Sequence, residues 1–258
     1  MTRPVFYVDP GDLEGRALGD SMSLGGSEGH HAKNVKRITT NESIDLVDGR
    51  GHRAVCTVTS VEADGLRLTL ASEVNSDPAS GIVLVQALAK GDRDLMAVEM
   101  ATELGASAIV PWQAERSIVR WKGDRAAKAH AKWVKTVEAA AKQARRSLVP
   151  RVEPLHSTRQ LTNILGPGDS MFILHEEAQV ALTTVTAREN DDSGTVFLVV
   201  GPEGGIGADE ASMLEAAGGQ CVRLGSEILR SSTAGAAAMS VLHAIRGCLL
   251  YTSDAADE

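Results

Sequence analysis

Apolar and polar positions change rhythm once along this 258-residue chain, close to residue 80. Upstream, short runs alternate with the period of two that a half-buried strand requires. Residues 42–48 lead into a turn at Gly49, residues 53–61 follow, and a second turn at Asp64-Gly65 precedes residues 66–70. Turns at that spacing predict the hairpins of a small barrel over residues 1–75, with one helical interruption at about 27–37. Residues 73–81 are crowded with Asn, Ser, Asp, Pro and Gly and predict a linker.

Downstream, continuous apolar runs alternate with helical patterns. Strands are predicted at 82–88, 107–112, 171–175 and 195–200, with a last one ending at Leu224. Between them fall a helix at 92–104 with Gly105 as its C-cap, and a long Ala/Lys-rich helix at 123–146. A shorter helix capped by Ser157 is expected to end near Gly166, and another at 209–217 to stop at Gly218-Gly219. The final helix is expected from Thr233 to Arg246, with Ser231, Ser232 and Thr233 as N-capping residues. Strands in alternation with helices predict a parallel sheet covered on both faces, an α/β domain at 81–248.

Two segments at strand exits carry the candidate chemistry. Gly201-Pro202-Glu203-Gly204-Gly205 follows one strand, and Leu224-Gly225-Ser226-Glu227-Ile228-Leu229-Arg230 follows another. In open α/β sheets ligands sit beyond the carboxyl ends of the strands, and glycine there lets backbone approach them closely. The glycines do not fit the spacing of the dinucleotide fingerprint, which makes a nicotinamide-dependent dehydrogenase a poor reading.

Composition narrows the class. Hydrophobic residues at 43% and charged residues at 23% are those of a folded globular chain, and only eight aromatic residues leave an aliphatic core. No run of ~18 apolar residues is present to span a membrane, and the first residues lack the apolar stretch of a secretory leader. Cys56, Cys221 and Cys248 show neither pairing nor metal spacing, so packing roles in a reduced cytoplasm and no metal are expected. The net charge of −8 argues against a nucleic-acid partner until its distribution is considered. Eleven Lys and Arg against two acids between Arg116 and Arg151 make that stretch +9 and the remainder −17. Such a cluster is the electrostatic footprint of a phosphate backbone, or else a solvated helix face.

The order of further motifs adds specificity. Lys90-Gly91-Asp92-Arg93 precedes Glu99-Met100-Ala101-Thr102-Glu103-Leu104-Gly105, then Glu115-Arg116-Ser117-Ile118-Val119. Ala140-Ala141-Lys142-Gln143-Ala144-Arg145 with Val149-Pro150 comes next, ahead of the two glycine-bearing loops, and His30-His31-Ala32-Lys33-Asn34-Val35-Lys36-Arg37 stands near the N-terminus. In this order the motifs resemble those of the knotted SPOUT methyltransferases, most closely the RsmE family, which methylates N3 of a uridine in 16S ribosomal RNA. The resemblance covers all but the last ten residues; the tail 249–258 reads as non-native.

The resemblance implies a PUA-like barrel followed by a trefoil-knotted domain, a homodimer, and S-adenosylmethionine held by three loops. Its cofactor site would comprise Leu174, His175, Gly201, Pro202, Glu203, Gly204, Gly205, Leu224, Gly225, Ile228, Leu229, Arg230 and Thr233. Arg230 would stabilise the anionic uracil oxygens, or else cap loop carbonyls; Glu203 would serve as a base or orient its loop. Lys33, Arg37, Lys90, Arg93, Gln143, Arg145 and Arg146 would contact RNA. One departure matters: Ser232 stands where the family often has a glutamate, which leaves the proton acceptor unassigned. A related enzyme acting on ribose 2′-O or on tRNA, and a ribosome-assembly factor without catalysis, are the alternatives.

Overall fold

The computed structural model describes residues 3–185 and 194–246. The chain divides into two compact units, one of residues up to Ala79 together with Ala141–Val149, the other of Ser80–Ala140 and the residues from Pro150 onward. The tail read as non-native, and Cys248, lie outside the described residues.

The first unit contains β1 (Val5–Tyr7), β2 (Ser21–Leu24), α1 (Gly26–His30) and a π-helical turn (His31–Val35). β3 (Ser43–Val47), β4 (His52–Glu62), β5 (Gly65–Leu70) and β6 (Asn75–Ser76) complete it. The sheet order is β1-β3-β4-β5-β2, with β6 also on β4; only the β1–β3 pair is parallel. Alternation works as the sequence predicts: Ala54, Cys56 and Val58 of β4 and Leu66, Leu68 and Leu70 of β5 are buried, while Arg67 faces out. They pack with Phe6, Leu13, Ile44 and Leu46 in one aliphatic core. Gly65, at φ +150°, is irreplaceable here, because a Cβ would lie 2.0 Å from the Leu24 carbonyl oxygen.

Residues 141–149 join this unit through backbone pairing. Gly51 N–H donates to Ser147 O, Val149 N–H to Gly49 O, and Arg53 Nη2 to Arg145 O. The sequence pattern assigns this stretch to the second domain; these hydrogen bonds tie it to the β3–β4 turn instead.

The second unit holds β7 (Ile82–Ala87), α2 (Arg93–Glu103), β8 (Ala108–Gln113), α3 (Asp124–Gln143, its last residues counted with the first unit), β9 (Arg151–Val152) and β10 (His156–Ser157). α4 (Thr158–Leu161), β11 (Ser170–Leu174), β12 (Val196–Val200), α5 (Ala208–Ala216), β13 (Gly219–Val222) and α6 (Ser231–Ile245) follow. Every strand pair is parallel, in the order β10-β8-β7-β12-β11-β13, with β9 also on β8. α4 and α5 contribute Leu161, Ala211 and Leu214 to one face, against Val85, Val110, Trp112 and Val199. α2 and α6 cover the other, where Gly235 is held because a Cβ would stand 2.8 Å from Leu84 Cδ1. Burial on both faces is why these strands read as unbroken apolar runs.

Two helices differ from expectation. The helix capped by Ser157 is only four residues long, closed by a reciprocal cap in which Gln160 N–H donates to Ser157 Oγ and Ser157 N–H to Gln160 Oε1. The final helix starts earlier than expected, at Ser231. Arg230, extended at φ −68° and ψ 152°, takes the N-cap position, so Ser231 and Ser232 are helical residues and not caps. Thr233 does turn its hydroxyl back to the Arg230 carbonyl, at 3.2 Å, but as a donor.

Candidate functional site

β12, β11 and β13 are neighbours in one parallel sheet, so the chain leaves all three at the same edge. The segments that follow Leu174, Val200 and Val222 therefore converge, and between them lies a cleft of about 330 Å³. That volume is at the small end of the ~300–1,000 Å³ typical of ligand clefts.

Eight residues expected at a cofactor site line it: Leu174, His175, Gly201, Pro202, Glu203, Gly205, Ile228 and Leu229, and Arg230 is a ninth. Gly204, Leu224, Gly225 and Thr233 do not line it. Gly204 instead supports the loop from behind, its carbonyl accepting from Arg116 Nη1 at 3.1 Å. The glycines thus have separate causes. At Gly201 a Cβ would come within 2.7 Å of Ile206 Cγ1, so glycine is required by packing inside the loop, whereas Gly205 needs its positive φ of 70°.

Glu203 is anchored from α2. Its Oε1 accepts from the backbone N–H of Lys90 at 2.9 Å and from Arg93 Nη1 at 3.1 Å. Burial pushes its carboxyl pKa up, but hydrogen bonds from its own N–H, from Lys90 and from Arg93 outweigh that and hold it below the usual glutamate value. A carboxylate held this way is a poor proton acceptor, which favours the loop-orienting role. The same hydrogen bonds also explain the co-occurrence of Lys90-Gly91-Asp92-Arg93 with the glycine-bearing loop.

Arg230 is exposed at the cleft, and among the described residues its guanidinium has no hydrogen-bond or ion-pair partner. Its carbonyl accepts from Thr233 and Ala234 N–H, so only its backbone closes the helix start. Capping of loop carbonyls by this side chain is therefore not seen. Ile228 is 78% exposed and Leu229 40%, an apolar pair left open on the cleft wall.

Glu176, which follows His175 after β11, also lines the cleft, and so do Arg93, Val200, Ile206, Ser231 and Ala234, a role not assigned to these five from the sequence. Ser231 is buried and its Oγ bonds nothing among the described residues. Its neighbour Ser232, also buried, occupies the helix position where the resemblance leads one to look for a carboxylate. Below the loops a polar network fixes α5: Glu210 Oε1 accepts from Glu115 N–H at 2.9 Å and from the Thr158 hydroxyl, which in turn accepts from Trp112 Nε1.

The residues expected to meet RNA are less uniform than their shared charge suggests. Lys33 Nζ is occupied by the carbonyls of Glu62 and Ala63. Arg93 belongs to the cleft and Lys90 reaches it through its backbone. Arg37, Gln143 and Arg145 are exposed, Arg37 and Arg145 in left-handed turns. Arg146 is half-buried, and that burial pulls its pKa down while the Tyr7 phenol opposes the shift; Tyr7 donates to the Arg146 carbonyl. On α3 itself, Lys128, Lys132 and Lys135 are exposed at the i, i+4, i+7 spacing that puts them on one face.

Glu14, Asp48 and His52 bring donor atoms within 4.8 Å of one another, but they satisfy each other and Arg50. Asp48 Oδ2 accepts from His52 Nδ1, its Oδ1 from two backbone N–H groups, and Glu14 from Arg50. No helix among the described residues is long and apolar enough to cross a membrane.

Comparison with known proteins places this cleft in context. An RNA methyltransferase domain family matches residues 76–243, and an RNA methyltransferase PUA domain family matches residues 24–71. The chain is 38% identical over 250 residues to ribosomal RNA small subunit methyltransferase E of Mycobacterium bovis, covering 94% of this chain and 92% of that one. Against the Bacillus subtilis protein of the same name it is 31% identical, with 86% and 89% covered. Among solved structures, ribosomal RNA small subunit methyltransferase E from Neisseria gonorrhoeae, bound to S-adenosyl methionine, is similar at a TM-score of 0.79 and 31% identity, over 95% of this chain and 98% of that one.

Proposed function

The chain belongs to the ribosomal RNA small subunit methyltransferase E family, and on that premise we propose that it methylates N3 of a uridine in 16S ribosomal RNA with S-adenosylmethionine as donor. The observation that carries the reading is the cleft at the exits of β11, β12 and β13, with Arg230 uncommitted on its wall and Glu203 bound to Arg93. The cleft fits the cofactor: Leu174, Val200 and Ile206 offer an apolar wall, and Gly205 leaves backbone open toward it. Ile228 and Leu229 present apolar surface that a bound adenosine would cover.

S-adenosylmethionine supplies a methyl group already activated on a sulfonium. What remains for the protein is positioning and charge control. The loops at 201–205 and 224–230 would hold the cofactor, and Arg93 fixes the Glu203 carboxylate in place on the cleft wall. Arg230 offers an uncommitted positive charge to uracil oxygens as N3 gives up its proton. The exposed lysines of α3 supply sequence-independent phosphate contacts. The reading also includes the trefoil knot, a homodimer, the named RNA-contact residues and a cytoplasmic location.

The test is transfer from labelled S-adenosylmethionine to small ribosomal subunits that lack the modification, with nucleosides separated by mass spectrometry. The expected product is 3-methyluridine, and Arg230→Ala is expected to lower kcat by roughly 10²-fold, as loss of one charge-stabilising donor does elsewhere. A 2′-O-methylated nucleoside, or a tRNA product, would overturn the substrate assignment.

A further inference from the structure

We propose that the start of α6, through the Ser231 hydroxyl, the first helical N–H groups and the Arg230 guanidinium, is an anion site that binds the target uracil as its N3 ionises. The proposal rests on the uridine-N3 reading above, and assigns to Ser231 a role in it.

Three observations converge on this corner. First, α6 runs for fifteen residues and has no side-chain cap. The N–H groups of Ser231 and Ser232 have no acceptor among the described residues, while the next two turn back to the Arg230 carbonyl. A helix start of this kind presents free donors and roughly half a positive charge. Second, Ser231 is 8% exposed and its Oγ is buried without a partner among the described residues. Buried hydroxyls are nearly always bonded, so an orphan on a cleft wall points to a ligand that completes it. Ser231 and Ala234, one turn apart on the same helix face, both line the cleft. Third, Arg230 adjoins Ser231 at the same cleft and is uncommitted, unlike Arg93, which Glu203 engages.

The chemistry of the donors selects the ligand. Uracil N3–H is flanked by two carbonyl oxygens; when its proton passes to water, the negative charge spreads over N3 and both oxygens. That anion is a pure acceptor, and the Arg230 guanidinium and the free helical N–H groups are pure donors, while the Ser231 hydroxyl can accept N3–H before ionisation and donate afterwards. Stabilising the anion raises the acidity of N3 and removes the need for a carboxylate base. Such a device suits a chain in which Ser232 leaves no carboxylate at that point of α6, Glu203 is held by Arg93 and Lys90, and Glu176 is exposed. The elements packed on α6 add few charges: of α2, β7, β12 and the turn Leu182–Thr184, only α2 carries ionisable side chains, Arg93, Asp94, Glu99 and Glu103. His175 and Glu176 are the remaining ionisable groups on the cleft wall.

The test follows the ¹⁹F resonance of 5-fluorouridine 5′-monophosphate against pH with the full-length protein in excess. The wild-type protein is expected to lower the ionisation midpoint of the bound nucleotide by about one pH unit, tenfold in acidity. Ser231→Ala should return most of that shift, and Ser231→Thr, which restores a hydroxyl, should keep it. In parallel, kcat for methyl transfer to small subunits is measured across pH, with cofactor affinity by calorimetry. The rising limb should move to higher pH in Ser231→Ala while cofactor affinity is retained. An unshifted midpoint with the wild-type protein overturns the proposal, as does an equal loss of rate at every pH. Weaker cofactor binding with an unmoved limb also overturns it, making the hydroxyl a cofactor contact. A lowered midpoint without any 3-methyluridine would leave the anion site standing and sink the reaction assigned above.

Discussion

Arg93 Nη1 lies 3.1 Å from Glu203 Oε1, joining the first turn of α2 to the glycine-bearing loop after β12 across 110 residues of sequence. The pair is partly exposed, at 42% and 25% of the two side chains, so solvent screening limits its worth to about 1 kcal/mol. Glu203→Gln is expected to weaken S-adenosylmethionine binding by about fivefold in calorimetry while kcat stays within about threefold. A kcat loss near 10²-fold at unchanged affinity would show Glu203 to be a base. Because the folded state holds this carboxyl below its ordinary value of 4.5, the anchor's contribution is fully present above that value and is lost as pH falls through the lowered one. Cofactor affinity should therefore be indifferent to Glu203 titration across the neutral range, with the wild-type advantage over Gln vanishing only in acid.

Two glycines of the site separate loop packing from ligand approach. A Cβ at Gly201 meets Ile206 Cγ1 at 2.7 Å, whereas at Gly225 nothing lies within 4 Å. Gly201→Ala should lower unfolding stability by about 1–3 kcal/mol, the range for overpacking, and abolish cofactor binding. Gly225→Ala should unfold with the wild type to within about 0.5 kcal/mol. Thermal denaturation with and without cofactor distinguishes the two.

The lysine row of α3 should act through charge alone. Lys128, Lys132 and Lys135 are exposed, and the one ion pair among them, Lys132 with Asp92, is exposed on both sides and worth little. Replacing all three by Gln is expected to leave the melting temperature unchanged and to weaken binding to small-subunit RNA. The slope of log affinity against log salt should become shallower by about 0.7–0.9 for each phosphate that is no longer neutralised. An unchanged slope would return these residues to a merely solvated face.

Cys56 is fully buried, and burial, with Asp45 nearby, pushes its thiol up to about 12. The thiolate is thus absent at neutral pH, and a thiol reagent should label Cys56 only at the rate of unfolding. Mass spectrometry of the native protein under mildly alkaline conditions, against the same protein in denaturant, checks this; rapid native labelling would contradict it.

Periodicity alone determined where most strands and helices lie, because one-sided and two-sided burial leave different apolar rhythms, as β4 and β12 show. Ordered motifs determined the family, and with it the PUA-like domain ahead of an α/β methyltransferase domain. Tertiary structure decided what local pattern does not encode. α4 starts at the Ser157 cap that the sequence predicts, made reciprocal by Gln160, but runs for only four residues, and Ala141–Val149 joins the first unit through hydrogen bonds to residues about 90 positions away. The strand order β12-β11-β13 brings three distant loops to one edge, where Arg93 takes up Glu203 and no described residue takes up the Arg230 guanidinium. Ser231 is the sharpest case: in sequence it reads as a helix cap, and only the extended backbone of Arg230, which sets the helix start, turns its hydroxyl into a buried donor on the cleft wall.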